Sequence, residues 1–232
     1  MQQMVVSCIR CVGGVKICGY CSEQLTKHGL SKAGKQRYKC KGCGKTQIQH
    51  YTYQAYTSAI NQQIITLTKE GLGIRSIARV LRISATTLIK RILTIARNIT
   101  PPAIAKGKTY EVDEISAYVK SKKKKIWMVY ALARDTKKVV CFHVGKRTNK
   151  TLKSVIRTLE HAAAKRIYTD KLPNYKYLIH KAVHSVSFRG TNHIERNNLT
   201  LRIHLKRLNR RTICFSRSLM MLTACLQLYF FG

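Results

Sequence analysis

Negative charge is what this sequence has least of. Only nine of its 232 residues are Asp or Glu, against 44 Lys or Arg, for a formal charge of +35. A chain that meets small anions needs a basic pocket, not a basic chain, and a purely structural protein this one-sided would repel itself in the compact state. Both are set aside in favour of a polyanion partner. Long apolar runs are lacking as well. A membrane span needs ~20 apolar residues, and the most apolar stretch, Leu219–Phe231, falls short of that and contains Thr223 and Gln227. It reads as a terminal core helix. Arg10, Gly13, Gly14 and Lys16 interrupt any N-terminal leader-like run, so action inside the cell, away from membranes, is expected. Prolines number three, and the adjacent pair Pro101 and Pro102 marks a linker.

What is present is a foldable chain. With 45% hydrophobic residues it can bury a core and is no disordered basic tail. Its length suits one domain of about 120 residues with one or two small ones.

Six of the nine cysteines fall in the first 43 residues as the C-x-x-C pairs Cys8/Cys11, Cys18/Cys21 and Cys40/Cys43. Two thiolates on a tight turn converge on one ion, and a second such knuckle completes a tetrahedron. Cys18-Gly-Tyr-Cys21, 18 residues, then Cys40-Lys-Gly-Cys43 is the spacing of a zinc ribbon with a structural zinc ion. Cys8 and Cys11 are surplus: they bind a second ion incompletely, compete for the first, or stay unliganded. His28 between the knuckles is an alternative ligand or a solvated loop residue. Lys35, Arg37, Tyr38 and Lys39, followed by Tyr51, Tyr53 and Tyr56, alternate basic and aromatic residues, which suits strands lying on nucleic acid or ordinary strand packing.

A helical period begins near residue 61. Ile64, Ile65 and Leu67 mark a helix stopped by Gly71 and Gly73; Ile77, Ala78 and Leu81 mark a second; Leu88, Ile92 and Ile95 a third, with Lys90, Arg91 and Arg97 outside. This is the pattern of a helix-turn-helix whose third helix enters the major groove, or of a plain basic bundle. From Lys108 the pattern turns to strands: one through Tyr110, Val112, Ile115 and Tyr118, one over residues 126–133, and one over 139–144 after a turn at Asp135. The four lysines 122–125 are expected in a solvated loop. An amphipathic helix through Leu152, Val155, Ile156 and Leu159 follows, then a short strand over residues 166–169. A meander followed by helix and strand describes an α/β sheet of the ribonuclease-H type. The expected organisation is a zinc ribbon over residues 1–57, a helix-turn-helix over 58–99, a linker over 100–108 and an α/β ribonuclease-H-like domain over 109–232.

With so few acids, each can be weighed. Asp135 is a turn residue. Asp113 lies in the first strand and Asp170 ends the fourth, where a carboxylate is costly unless paired or metal-bound. Glu195 opens a helix whose buried stripe is Ile194, Leu201, Leu205 and Leu208. Ordinary ion pairs could absorb each of these acids. Taken together they are also what a two-metal phosphoryl-transfer site requires, with magnesium suited to hard carboxylates. Arg202, seven residues after Glu195 and on the same helix face, is placed to grip a phosphate.

The run His193-Ile-Glu-Arg-Asn-Asn-Leu-Thr-Leu-Arg202, continuing through Leu205-Lys-Arg-Leu and Arg211-Thr-Ile-Cys-Phe-Ser-Arg217, strongly resembles the C-terminal signature of transposases of the insertion-sequence-one family. Ala33-Gly-Lys-Gln-Arg-Tyr-Lys-Cys40 is similar to that family's zinc-ribbon segment, and Val112-Asp113-Glu114 and Tyr168-Thr169-Asp170 are similar to its first two catalytic positions. The resemblance implies a DDE-type transposase in which Asp113, Asp170 and Glu195 bind magnesium or manganese and Arg202 occupies the basic position after the glutamate. It implies cleavage at the ends of an insertion sequence and attack of the new 3′-hydroxyls on target DNA. His184 resembles a histidine that orients substrate, or is structural. Double-stranded DNA is the expected partner, met by Lys35, Arg37, Lys90, Arg91, Arg196 and Lys206, and synapsis of two ends implies a homodimer or larger assembly on the bacterial nucleoid. The extra pair Cys8/Cys11 departs from the family, as does one continuous chain where the prototype uses overlapping frames. A non-catalytic DNA-binding regulator is the competing reading; a ribosomal or RNA-binding zinc-ribbon protein explains the charge and cysteines but has no use for Glu195.

Overall fold

The computed structural model describes residues 9–48, 58–187 and 189–232; Cys8, Tyr51, Tyr53 and Tyr56 lie outside them. Strands β1 (Arg10–Val12) and β2 (Val15–Ile17) form a hairpin across Gly13 and Gly14, both at positive φ, which glycine adopts without steric cost. β3 (Leu25–Leu30), β4 (Gln36–Cys40) and β5 (Thr46–Ile48) make an antiparallel sheet in that order. Among the described residues its buried apolar cluster is Ile9, Cys18, Leu25, Tyr38 and Cys40. A core that small needs a metal or other staple.

Three helices follow: α1 (Ser58–Lys69), α2 (Ile74–Val80) and α3 (Ala85–Asn98). Ser84 caps α3 by accepting the Thr87 N–H at 3.0 Å. Ile64, Ile77, Leu88 and Ile92 are fully buried among them, the stripe that the three- and four-residue spacing predicts. This core is closed by Met221, Ala224, Cys225 and Leu228 of α7 (Leu219–Phe231), the last helix of the chain. α7 is apolar all round and buries its other side, Leu222 and Leu226, against the large sheet.

That sheet comprises β6 (Thr109–Val119), β7 (Ser121–Ala133), β8 (Val139–Gly145), β9 (Arg166–Tyr168) and β10 (His184–Ser185), in the order β10-β9-β6-β7-β8. β6, β7 and β8 are antiparallel neighbours, while β9 runs parallel to β6 and to β10. The result is a mixed α/β sheet. Helix α4 (Asn149–His161) covers one face through Leu152, Val155, Ile156 and Leu159 against Val112, Val129 and Ala131; α5 (Asn174–Leu178) extends that layer with Tyr175. Helix α6 (Asn192–His204), a 3-10 turn (Lys206–Leu208) and α7 cover the other face, packing Ile194, Leu201, Leu205 and Leu208 on Ile115, Met128 and Tyr130.

One expectation needs correction. The four lysines 122–125 are exposed, as expected, but they belong to β7 and not to a loop. The hairpin turns earlier, at Lys120 with φ 65, and its register shifts next to Tyr118, which pairs with Lys125. A solvated strand can carry charge as readily as a loop, so charge alone misplaced the turn.

Gly71, in the turn between α1 and α2, has φ +74, and a Cβ there would lie 2.1 Å from the carbonyl oxygen of His204. Only glycine lets this turn abut the C-terminus of α6.

Candidate active site and metal centre

β9 pairs with β6 only as far as Tyr168 opposite Glu111, so β6 continues past its neighbour with one edge unpaired until Val119 bridges Ser216. Asp113 sits at the start of that free edge. As β9 ends, the chain turns out through Thr169 to Asp170. The buried Thr169 hydroxyl lies 2.8 Å from His184 Nε2 on β10, and the Asp170 carboxylate accepts the Leu172 N–H at 3.0 Å. Burial, reinforced by Lys176, lowers the His184 pKa and favours the neutral ring.

From the other side comes α6. Its residues Glu195, Asn198, Leu199 and Arg202 recur at helical spacing and line one cavity of about 420 Å³ together with Asp113, Glu114 and Arg210. Asp113 accepts the Glu114 N–H at 2.7 Å and the Asn198 side-chain N–H at 2.5 Å. The amide is oriented by the buried Tyr130 hydroxyl, 2.7 Å from Asn198 Oδ1. Burial pushes Asp113 up to about 6, and the charges of Asp170 and Glu114 add to the shift against those two hydrogen bonds. Thr191 donates to Glu195 at 2.8 Å, which holds that carboxylate beside the helix start. Arg202 donates to the Leu208 carbonyl at 2.7 Å; burial and then the Arg210 charge lower its pKa, while Asp113 favours its charged form.

Three flanking acids have other duties. Glu111 is fully buried and accepts from the Ile194 N–H at 2.9 Å, with His193 Nδ1 at 2.7 Å and Arg134 at 3.4 Å. It ties the first turn of α6 to β6. Glu114 holds Arg147 at 2.9 Å and accepts the Tyr175 hydroxyl at 2.8 Å, and Asp135 pairs with Lys108 at 3.0 Å. Among the described residues Asp113, Asp170 and Glu195 make no salt bridge. Of these Asp113 alone is not exposed, and among the described acids it is the one unexposed carboxylate without a salt bridge.

The structure therefore brings Asp113, Glu195 and Arg202 to one cavity, with Asp170 close enough for its charge to act on Asp113. The three carboxylates are not drawn together as metal ligands are in a closed site. Among the described residues, the group of three or more ligand atoms all within 4.8 Å of one another is the cysteine cluster Cys18, Cys21, Cys40 and Cys43. Cys18 and Cys43 sulfurs are 3.6 Å apart and those of Cys21 and Cys40 3.3 Å. A zinc tetrahedron with bonds of ~2.3 Å has edges of roughly 3.8 Å, so the donors fit that ion. Gln47, buried beneath them, donates its amide to Cys18 at 3.2 Å. Burial works against ionising Cys18, yet the Tyr20 and Cys21 N–H groups and the neighbouring thiols bring it down to about 6. Cys11 lies on β1, exposed and outside this group.

The expected DNA contacts divide. Lys90, Arg196 and Lys206 are exposed. Arg91 is half-buried and donates to Asn61 of α1, Arg37 donates to the His28 carbonyl at 3.4 Å, and the Lys35 N–H is held by Ser31 at 3.0 Å in the β3–β4 turn. Sequence reading missed Glu111, Asn198 and Arg210 as parts of the site. Asn198 stands in the quoted signature, three residues after Glu195, and that spacing was the available signal.

Comparison with known proteins adds independent findings. The family model described as IS1 transposase matches residues 108–230. The chain is 38% identical over 108 residues to the insertion element iso-IS1n protein InsB of Shigella dysenteriae, covering 47% of this chain and 82% of that one. To the insertion element IS1 2 protein InsB of Escherichia coli K12 it is 39% identical over 108 residues, covering 47% of this chain and 65% of that one. A solved structure of a simian T-cell lymphotropic virus intasome with PP2A regulatory subunit B56 gamma overlaps with a TM-score of 0.40 at 14% identity, over 72% of this chain and 67% of that one, too loosely to bear on the argument. The matched segment is just over half of the chain, and the chain belongs to the IS1 transposase family.

Proposed function

We propose that the protein is a DDE-type DNA transposase that binds the ends of an insertion sequence, cuts there and joins the freed 3′-hydroxyls to target DNA. Asp113, Asp170 and Glu195 are its metal-binding carboxylates. The observation that carries this reading is the state of Asp113: a shielded carboxylate without a salt bridge, in a chain where bases outnumber acids 44 to nine. Glu111 and Glu114, the other two acids that are not exposed, each hold a salt bridge, whereas Asp113 holds none. Magnesium or manganese held there would activate the attacking oxygen and stabilise the leaving one. Asn198 and the Glu114 N–H hold Asp113 in one orientation, Glu111 fixes the helix that carries Glu195, and Arg202 with Arg210 meets the phosphate. The sheet order supports a ribonuclease-H-like assignment for residues 109–232.

In the same reading Cys18, Cys21, Cys40 and Cys43 hold a structural zinc, residues 1–57 form the ribbon, and α2 and α3 form a helix-turn-helix with Lys90 toward DNA. Lys35, Arg37, Arg91, Arg196 and Lys206 complete the DNA track. Arg91 does so while bonded to α1, and the 100–108 segment serves as linker. Two protomers or more would join the ends.

The test is strand transfer with magnesium on DNA bearing the element's ends. Wild type should nick and join; Asp170→Ala should bind the ends and do neither. Equal strand transfer by the two would remove the catalytic assignment, and binding without cutting by wild type would favour a regulator.

A further inference from the structure

The face of β6 and β7 that α4 covers does not stay covered along its length. Under α4 and α5 it presents Tyr110 and Val112 opposite Ala133 and Ala131, packed in the core. Past Glu114 the same face continues as Ser116 and Tyr118 opposite Trp127 and Lys125. These residues line a second cavity of about 350 Å³ that shares Glu114, Arg202 and Arg210 with the carboxylate cavity. One continuous groove therefore runs from Asp113 around the free edge of β6 to an aromatic floor.

Two cations attend the Trp127 ring, Arg147 at 4.5 Å and Lys125 at 4.8 Å from its centroid. Arg147 is fixed in place by Glu114 at 2.9 Å, whereas Lys125 is exposed and replaceable. Opposite Trp127 on β8 stands Gly145, which puts no side chain beside the indole. Glu114, the one acid lining this second cavity, is neutralised by Arg147 and bonded by Tyr175. What is left is an aromatic floor with a cationic rim of Lys125, Arg202 and Arg210.

The geometry points to a subsite for one unpaired nucleotide of a DNA strand, its base stacked on Trp127 and its phosphates on the rim. Rings stack on base faces, and a duplex hides those faces while a single strand presents them. A duplex alone would meet the arginines but leave the indole unused. Because the groove shares its arginines with the carboxylate cavity, the stacked base adjoins the phosphate that faces Asp113. That placement rests on the catalytic reading above; the stacking itself does not.

Trp127 is the single tryptophan of the chain, so its emission reports on this groove alone. Full-length protein would be titrated with oligothymidylate and with an abasic oligomer of equal length. Oligothymidylate should quench Trp127 and the abasic oligomer should not. Trp127→Ala should weaken binding of a labelled oligothymidylate by roughly five- to a hundredfold and leave the abasic oligomer unaffected. Trp127→Phe, which keeps a ring and guards against a folding defect in the alanine variant, should retain most of the preference for bases. Unchanged emission at saturation, or the same base preference in wild type and Trp127→Ala, overturns the proposal. Asp170→Ala separates the two readings. If it lacks strand transfer yet wild type shows no quenching, only the nucleotide subsite falls; if it transfers strands while quenching is intact, only the catalytic assignment falls.

Discussion

Asp113 bears two opposed demands, and its chemistry makes them measurable. Folding takes its carboxyl from 3.8 in the free side chain up to about 6, because burial outweighs the hydrogen bonds from the Glu114 N–H and Asn198. The metal-free native state therefore holds a proton that the unfolded state has already released between those two values. Stability falls as pH rises from 3.8 through about 6 and stays lower above it. Asp113→Asn removes that penalty while keeping an acceptor for Asn198. In urea, without divalent metal, the variant should be more stable than wild type by about 1–3 kcal/mol at neutral pH and no more stable below 3.8. It should also lack strand transfer. A variant equally stable at both pH values would mean that Asp113 bears no such strain. If Asp113 holds the metal as proposed, activity at fixed low magnesium should decline as pH falls through about 6, because proton and metal would compete for one carboxylate.

Among the elements, α7 has the widest reach. Its thirteen residues put Met221, Ala224, Cys225 and Leu228 into the core of α1, α2 and α3, and Leu222 and Leu226 into the core beneath α6. Leu226→Ala should cost about 2–5 kcal/mol in urea unfolding, and amides of α1–α3 and of β6 and β7 should lose hydrogen-exchange protection together. Full protection in one set with free exchange in the other would contradict a shared helix. From the sequence, α7 was legible as a core helix but not as a double one, since an all-round apolar pattern names no partner. α1, α2 and α3 were legible because their signal is local: buried residues three and four apart. Strands β6 to β9 were legible from apolar runs and the Asp135 turn, whereas the three-residue β1 and β2, the five-residue α5 and the two-residue β10 carry no period to read. The site divides the same way. Asp113, Asp170, Glu195 and Arg202 stood out through the scarcity of acid and a quoted signature. Glu111 did not, because its role depends on the Ile194 N–H far along the chain, and Arg91 looked like a free surface cation because nothing local announces its bond to Asn61.

Across the whole molecule, the parts differ in what holds them. Among the described residues the ribbon's apolar cluster is Ile9, Leu25 and Tyr38 beside the buried Cys18 and Cys40 of the four-thiol group, while the remainder rests on large apolar cores. Chelation, or Cys40→Ser, should therefore unfold residues 9–48 and leave the sheet's melting transition within about 1 kcal/mol of its original stability, as expected for sites with no shared partners. Loss of the whole fold would place the ribbon inside the main core. The large charge fits the same division, spread over ribbon, helices and sheet as one track for a polyanion. Helix α6, packed on the sheet through Ile194 and Leu201, links two parts of the molecule. Its first turn is fastened to β6 by Glu111, and its last carbonyl, at His204, touches Gly71 between α1 and α2. At about 1.5 Å per residue α6 measures roughly 20 Å. On the proposed reading it acts as a calliper whose jaws are the helices that would read DNA and the carboxylates that would cut it. The gap between them is set by helix packing and not by the 100–108 segment, so on that reading the cut should fall a constant number of base pairs from the sequence recognised, whatever letters lie between.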